Sequence, residues 1–266
     1  MTQSVTLNTL REHKNAGRRF AVVTAYDASF AACLQQNGVE LLLVGDSLGM
    51  VIKGQPSTVS VSVDEIIYHC QAVKRGAPDA LLMADMPFMG DCDIKDALKN
   101  AGRIIAEGGA QIIKLEGGRY QADIVHALSN KGVAVCAHLG LLPQSINKLG
   151  AYKVQAKEDR AAQILLEDAE ILQQAGADLM LLECVPQGVA QTVTANLDIP
   201  VIGIGAGPHC DAQVLVLHDL LGLGGQHKPR FAKDFLQQGG SIAGAIRAFV
   251  DEVKDGVFPA PQHSFK

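Results

Sequence analysis

Short, nearly unbroken apolar runs alternate along the chain with longer segments that carry an apolar stripe on an otherwise polar surface. Eight runs recur: FAVVTA from Phe20, ELLLVG from Glu40, ALLMAD from Ala80, QIIKLE from Gln111, VAVCAH from Val133, DLMLLE from Asp178, IPVIGIG from Ile199 and VLVLHD from Val214. They are continuous rather than alternating, as strands of a parallel sheet covered on both faces must be. Between them, DEIIYHCQAVKRG from Asp64 begins acidic, carries an apolar stripe and ends basic at a glycine, the charge and cap pattern of a helix. DCDIKDALKNAGRIIAEGGA from Asp91 and EDRAAQILLEDAEILQQAGA from Glu158 repeat it, and each ends in a Gly-Ala step into the next strand.

Strand and helix alternating in this way over 266 residues predict one (β/α)8 TIM barrel, a single catalytic domain spanning residues 1–266. A short N-terminal helix precedes it, and KPRFAKDF from Lys228 and SIAGAIRAFVDEVKDG from Ser241 read as closing helices before an extended tail, FPAPQHSFK. An open, doubly wound sheet is the alternative, and eight repeats favour closure. The segments LGMVIKGQPSTVSVS from Leu48 and LGLLPQSINKLGAYKVQAK from Leu139 are long for βα loops. Such loops lie over the barrel mouth and serve as binding walls or lids.

Barrel active sites sit at the carboxyl ends of the strands. Here the second run ends in Asp46 and Ser47, the third in Asp85, the fourth in Lys114 and Glu116, the fifth in His138 and the sixth in Glu183. One strand-end acid often does no more than cap the next helix. Five consecutive strands closing on ionisable groups point instead to a site. Lys114 lies inside IIKLE, where it must point into the barrel or be paired, and Glu116 shares its face. Converging carboxylates suit a hard divalent cation such as Mg²⁺, whereas zinc usually shows histidine or cysteine ligands. Lys114 would then balance a substrate carboxylate or an enolate oxygen, and Glu183 is placed as a general base. His138 is either a hydrogen-bond donor to substrate or a structural histidine below the site.

Other features narrow the class. The IGIGAG run from Ile202 lacks the dinucleotide spacing and reads as a tight strand-to-helix turn lining the pocket. His13, His69, His126, His209, His218, His227 and His263 show no ligand spacing, although His218-Asp219 closes the eighth run. With 23 Lys and Arg against 28 Asp and Glu, the net charge of −5 gives no general attraction for nucleic acid or an anionic membrane. Six scattered cysteines without a C-x-x-C pair read as reduced, buried thiols. No secretory apolar region opens the chain and no run is long enough to span a bilayer, so a cytoplasmic protein acting on small molecules is expected.

In this order the phrases closely resemble those of the ketopantoate hydroxymethyltransferase family. VGDSLGM from Val44, MADMPF from Met83, KLEGG from Lys114, HLGLLPQS from His138, YKVQ from Tyr152, LLECVP from Leu181 and IGIGAG carry the resemblance, which runs from TAYD at Thr24 to HSF near the end. It implies transfer of a hydroxymethyl group from 5,10-methylenetetrahydrofolate to 3-methyl-2-oxobutanoate, giving 2-dehydropantoate on the route to pantothenate, through a Mg²⁺-stabilised enolate. It further implies Asp46 and Asp85 as direct ligands of one Mg²⁺ per subunit, with Glu116 completing the metal site. Ser47, Lys114 and the two aspartates would contact the keto acid, Glu183 would accept the proton, and the chain would assemble as a homodecamer of two pentameric rings. Ala137, Leu142, Ala212, Gln55-Pro56 and Val59-Ser60 depart from the family pattern, which bears on loop geometry and folate contacts. The nearest rival is the phosphoenolpyruvate mutase and isocitrate lyase group, whose K-K-C-G-H loop phrase is missing here. A non-catalytic barrel would leave the strand-end charges replaceable.

Overall fold

The computed structural model describes residues 4–224 and 228–266, so His227 lies outside the described residues. Helix α1 (Leu7–Asn15) precedes β1 (Phe20–Thr24), α2 (Ala28–Gln36), β2 (Leu41–Val44), α3 (Leu48–Val51), α4 (Val63–Gly76), β3 (Leu81–Asp85), α5 (Ile94–Ala106) and β4 (Ile112–Glu116). There follow α6 (Ala122–Ser129), β5 (Ala134–Gly140), α7 (Ile146–Leu149), α8 (Asp159–Gln174), β6 (Leu179–Glu183), α9 (Gln187–Asn196), β7 (Val201–Ile204) and β8 (Ala212–Leu215). Helices α10 (Leu217–Leu220), α11 (Leu236–Gly239) and α12 (Ile242–Lys254) end the chain.

The eight strands pair in sequence order, all parallel, and β8 returns to β1 with Phe20 opposite Ala212 and Val23 opposite Leu215. That pairing closes the sheet and removes the open alternative. Because side chains alternate across a strand, each strand sends one set inward and one outward. The outward set, including Val23, Leu42, Ala84 and Leu182, packs under the helices. The inward set includes Phe20, Val22, Leu41, Leu43, Met83, Ile112, Cys136, Leu181 and Val214, and fills the barrel as a separate apolar cluster. Leu10 of α1 is buried in that cluster, so α1 packs against the barrel interior. Burying one such Leu or Phe is worth about 1.5–3 kcal/mol, which makes the interior a rigid base for whatever sits above it.

The helix ends follow the sequence's punctuation. Ser62 caps α4 through a capping box with Glu65, and Asp93 accepts from the Asp96 N–H to start α5 three residues after the expected Asp91. The long loops carry structure of their own: α3 lies in the loop after β2, and α7 in the loop after β5. The six cysteines are free thiols, buried at Cys70, Cys136, Cys184 and Cys210, but Cys33 is half-buried and Cys92 is exposed, against the expectation of burial.

Two C-terminal expectations are corrected. KPRFAKDF is not a helix, because its side chains are drawn to separate partners. Arg230 Nε donates to the Gln262 carbonyl at 3.1 Å, Lys233 pairs with Glu252 at 2.5 Å, and Phe235 packs edge-on against Phe249 and Phe258. Closure is left to α11 and α12. The tail is not extended throughout, since Pro261–His263 forms one turn of 3-10 helix. The eighth strand also starts and ends earlier than its apolar run, so His218 and Asp219 belong to α10 rather than to the strand end.

Candidate active site

Period-two alternation carries the inward face of each strand from apolar residues up to polar ones at its carboxyl end. Leu81 and Met83 lead to Asp85, Ile112 to Lys114 and Glu116, Cys136 to His138, and Leu181 to Glu183. The ladder sets Asp85 beside Lys114, Glu116 beside His138 and Glu183 beside Gly140. All seven residues expected from the sequence, Ser47 included, line one cavity of about 690 Å³ at the barrel mouth.

Lys114 is the centre of the cluster and is only 5% exposed. Its Nζ lies 3.1 Å from Asp85 Oδ1, 3.8 Å from Glu116 Oε1 and 3.1 Å from His138 Nδ1. Burial alone would lower its pKa, but the carboxylates of Asp85, Glu116 and Asp46 outweigh burial and raise it, so the ammonium is kept. His138 faces charge with both ring nitrogens: Nδ1 is 3.6 Å from Glu116 Oε1, and Nε2 is 3.4 Å from Glu183 Oε2. Burial and Lys114 oppose its protonation, while Glu116 and Glu183 favour it and raise its pKa overall. This imidazole lies between Lys114 and Glu116 on one side and Glu183 on the other. Burial raises Glu116 as well, yet His138 and Lys114 hold its carboxyl below the usual range.

Asp46 approaches from the turn after β2. Its backbone N–H donates to Asp85 Oδ2 at 2.9 Å, and its own Oδ2 accepts from Gln144 Nε2 at 2.9 Å. Burial, then the charges of Asp85 and Glu116, push the Asp46 carboxyl well above the usual range. Ser47 Oγ lies 2.8 Å from the Tyr26 hydroxyl, and the Tyr26 carbonyl meets His69 Nδ1 at 2.6 Å. His218 stands behind this group, its ring 5.8 Å from that of Tyr26, and does not line the cavity.

Gln144 and Tyr26 escape strand-end reasoning. Gln144 is neutral and sits in a single 3-10 turn (Pro143–Ser145) of the loop after β5, yet it bonds both Asp46 and Glu116. Its side chain bonds Asp46 and the Met86 carbonyl, and its backbone N–H donates to Glu116 Oε2 at 3.1 Å. The signal for both residues lies in the phrases HLGLLPQS and TAYD rather than in charge.

Beyond Glu183 the wall turns apolar. Cys184 has φ +49 and lines the cavity. Gly205 has φ +60, and a Cβ added there would lie 3.0 Å from Phe231 Cδ1, 3.1 Å from Phe265 Cε2 and 3.3 Å from Cys184 Sγ. Only glycine meets both demands. Ile204 of the IGIGAG run lines the pocket as expected, but the turn is not strand-to-helix, since β7 is followed directly by β8.

The donor set has a definite bias. Asp46, Asp85 and Glu116 are buried against one lysine, and Asp85 Oδ1 and Glu116 Oε1 are buried with no aligned hydrogen-bond donor. Among the described residues no three His, Cys, Asp or Glu groups form a complete ligand set. Hard oxygens, two of them met only by the charges of Lys114 and His138, fit a divalent cation that takes one or two carboxylates and keeps several waters, as Mg²⁺ does. They do not fit a closed zinc site.

The chain has clear relatives among known proteins. A family model described as ketopantoate hydroxymethyltransferase matches residues 4–261. The chain is 52% identical to 3-methyl-2-oxobutanoate hydroxymethyltransferase 2 of Hahella chejuensis, covering 98% of this chain and 99% of that one. It is 51% identical to the 3-methyl-2-oxobutanoate hydroxymethyltransferase of Erwinia tasmaniensis, covering 98% of each. Among solved structures, phosphonopyruvate hydrolase in complex with oxalate and Mg²⁺ superposes with a TM-score of 0.64 at 15% identity, over 97% of this chain and 93% of that one. Phosphoenolpyruvate phosphomutase from Streptomyces platensis subsp. rosaceus gives 0.62 at 14%, over 81% and 82%. At that identity these two share the fold alone.

Proposed function

The chain belongs to the ketopantoate hydroxymethyltransferase family, and from that premise we propose that it transfers a hydroxymethyl group from 5,10-methylenetetrahydrofolate to 3-methyl-2-oxobutanoate, forming 2-dehydropantoate. The observation that carries this reading is the row of inward charges, from Asp85 through Lys114 and His138 to Glu183, around one cavity. A keto acid needs both ends of that row: cationic and hydroxyl donors for its oxygens, and a base for its C3 proton.

Asp46 and Asp85 would hold Mg²⁺, with Glu116 in support. When bound, the cation would draw electrons from the keto acid's oxygens and acidify C3. Lys114 would bind the carboxylate or the oxygen that gains charge as C3 is deprotonated. Ser47, its hydroxyl set by Tyr26, would share that task. Glu183 would remove the C3 proton, with His138 Nε2 steadying its carboxylate from 3.4 Å. The C3 carbon then bonds to the folate's methylene carbon as one carbon–nitrogen bond opens. Water displaces the second nitrogen and leaves its hydroxyl on the product. The two folate nitrogens gain one proton from C3 and one from that water, so atoms and charge balance.

The remaining parts of the reading come with the family: one catalytic domain, a homodecamer and a cytoplasmic setting. Among the described residues no helix is long and apolar enough to cross a membrane. The testing experiment is an assay of 2-dehydropantoate formation from the two substrates. Product is expected with Mg²⁺, should vanish with a chelator and should return when Mg²⁺ is restored. No product under metal-replete conditions would overturn the assignment.

A further inference from the structure

The cavity is too large for the keto acid alone. Its volume of about 690 Å³ lies within the ~300–1,000 Å³ typical of pockets for drug-sized ligands. A small branched keto acid at the charged floor leaves the outer part free. That outer part has its own chemistry, opposite in kind to the floor.

Phe231, from the segment after α10, and Phe265, next to the last residue, each bring a ring atom close to Gly205, and both line the cavity. The Phe265 carbonyl accepts from the Gln187 N–H at 2.9 Å, which ties the C-terminal segment to the start of α9. The Arg230 guanidinium carbon lies 5.4 Å from the centre of the Phe265 ring, and its Nε is held by the Gln262 carbonyl. Lys153 and Lys228 line the same cavity. A flat aromatic corner thus stands beside Cys184, the residue after Glu183, with cations along its rim. Such a corner suits a ligand with a planar heteroaromatic ring at one end and carboxylates at the other.

We propose that Phe231 and Phe265, with Arg230, Lys228 and Lys153 at the rim, cradle the folate co-substrate. The pterin ring lies against the phenyl rings and the glutamate tail meets the cations. This assignment rests on the hydroxymethyl-transfer reading. It brings the methylene carbon to the Glu183 side of the keto acid, and it gives the C-terminal tail a direct part in binding.

The test is tetrahydrofolate binding by calorimetry to the full-length, Mg²⁺-loaded protein. Phe265→Ala and Phe265→Leu should each raise the Kd on the order of tenfold, since stacking on an aromatic face is lost in both. Phe265→Tyr, which keeps a flat ring, should stay close to wild type. If Phe265→Leu binds as wild type does, the ring acts by volume against Gly205 and the cradle is wrong. A folded Phe265→Ala with an unchanged Kd, or a wild-type protein that does not bind tetrahydrofolate, overturns it as well. Changing Lys228 and Arg230 together to glutamine should weaken binding of a triglutamate form and flatten its salt dependence. Unchanged salt dependence would refute the placement of the tail. Deuterium exchange at C3 of 3-methyl-2-oxobutanoate by wild-type protein, with Mg²⁺ and no folate, separates the two readings. Its absence sinks the keto-acid assignment, whereas exchange combined with normal folate binding by Phe265→Ala and Phe265→Leu sinks only the cradle.

Discussion

The imidazole of His138 reaches the carboxylate of Glu183, with Nε2 3.4 Å from Oε2, while Nδ1 on the other side of the ring meets Lys114 Nζ at 3.1 Å. With Lys114 Nζ against Nδ1, Nε2 is left facing Glu183 as a close charge contact without an aligned hydrogen bond. The imidazole thus stands between Lys114 and the proposed base, Glu183. His138→Asn should lower kcat about 10- to 100-fold, the usual cost of losing such a supporting partner. The KM for the keto acid should change much less. Steady-state kinetics checks this, and a kcat within about threefold of wild type would remove His138 from the proton-transfer machinery.

Mg²⁺ should stabilise the fold as well as serve the reaction. Asp46 and Asp85 are buried with too little positive charge nearby, so an ion that binds only the folded chain shifts the unfolding equilibrium. At a hundredfold excess over Kd the gain is about 2.7 kcal/mol, readable as a rise in Tm. Asp85→Asn should keep the fold and lose most of that rise, together with turnover. Equal Mg²⁺-dependent Tm shifts in Asp85→Asn and wild type would show that the ion binds elsewhere.

Gly140 sets the spacing between β5 and β6. Its φ is +93, and an added Cβ would fall 2.2 Å from the Glu183 carbonyl oxygen, which also accepts from the Leu141 N–H. Gly140→Ala must therefore strain the backbone or push Glu183 away. A loss of stability of about 1–3 kcal/mol in chemical denaturation is expected, with reduced activity in the folded fraction. Wild-type stability would mean that the two strands separate at little cost.

Much of this was legible because a barrel writes its interior in one alphabet. Strands such as LLMAD and IIKLE are apolar up to their last inward residue, so Asp85, Lys114 and Glu116 stand out against their own strands. The errors came where continuity misleads. VLVLHD reads as one strand, yet it spans the end of β8 and the start of α10, where the Leu217 N–H donates to Thr24 Oγ1 instead of extending the ladder. KPRFAKDF has helical spacing, but tertiary partners override it. Gln144 carries no charge, and Phe231 and Phe265 each come near Gly205 with the tail folded back to Gln187. None of these three leaves a mark in local pattern.

The central claim is that this cavity deprotonates a keto acid at C3 through Glu183. It is tested most directly by following deuterium uptake at C3 of 3-methyl-2-oxobutanoate by proton NMR, with Mg²⁺ and without folate, for wild type and Glu183→Gln. Wild type should exchange, and Glu183→Gln should be slower by about 10²–10⁴, the range for losing a general base, while keto-acid binding persists. Exchange at the wild-type rate in Glu183→Gln would contradict the account and move Glu183 to proton transfer on the folate side.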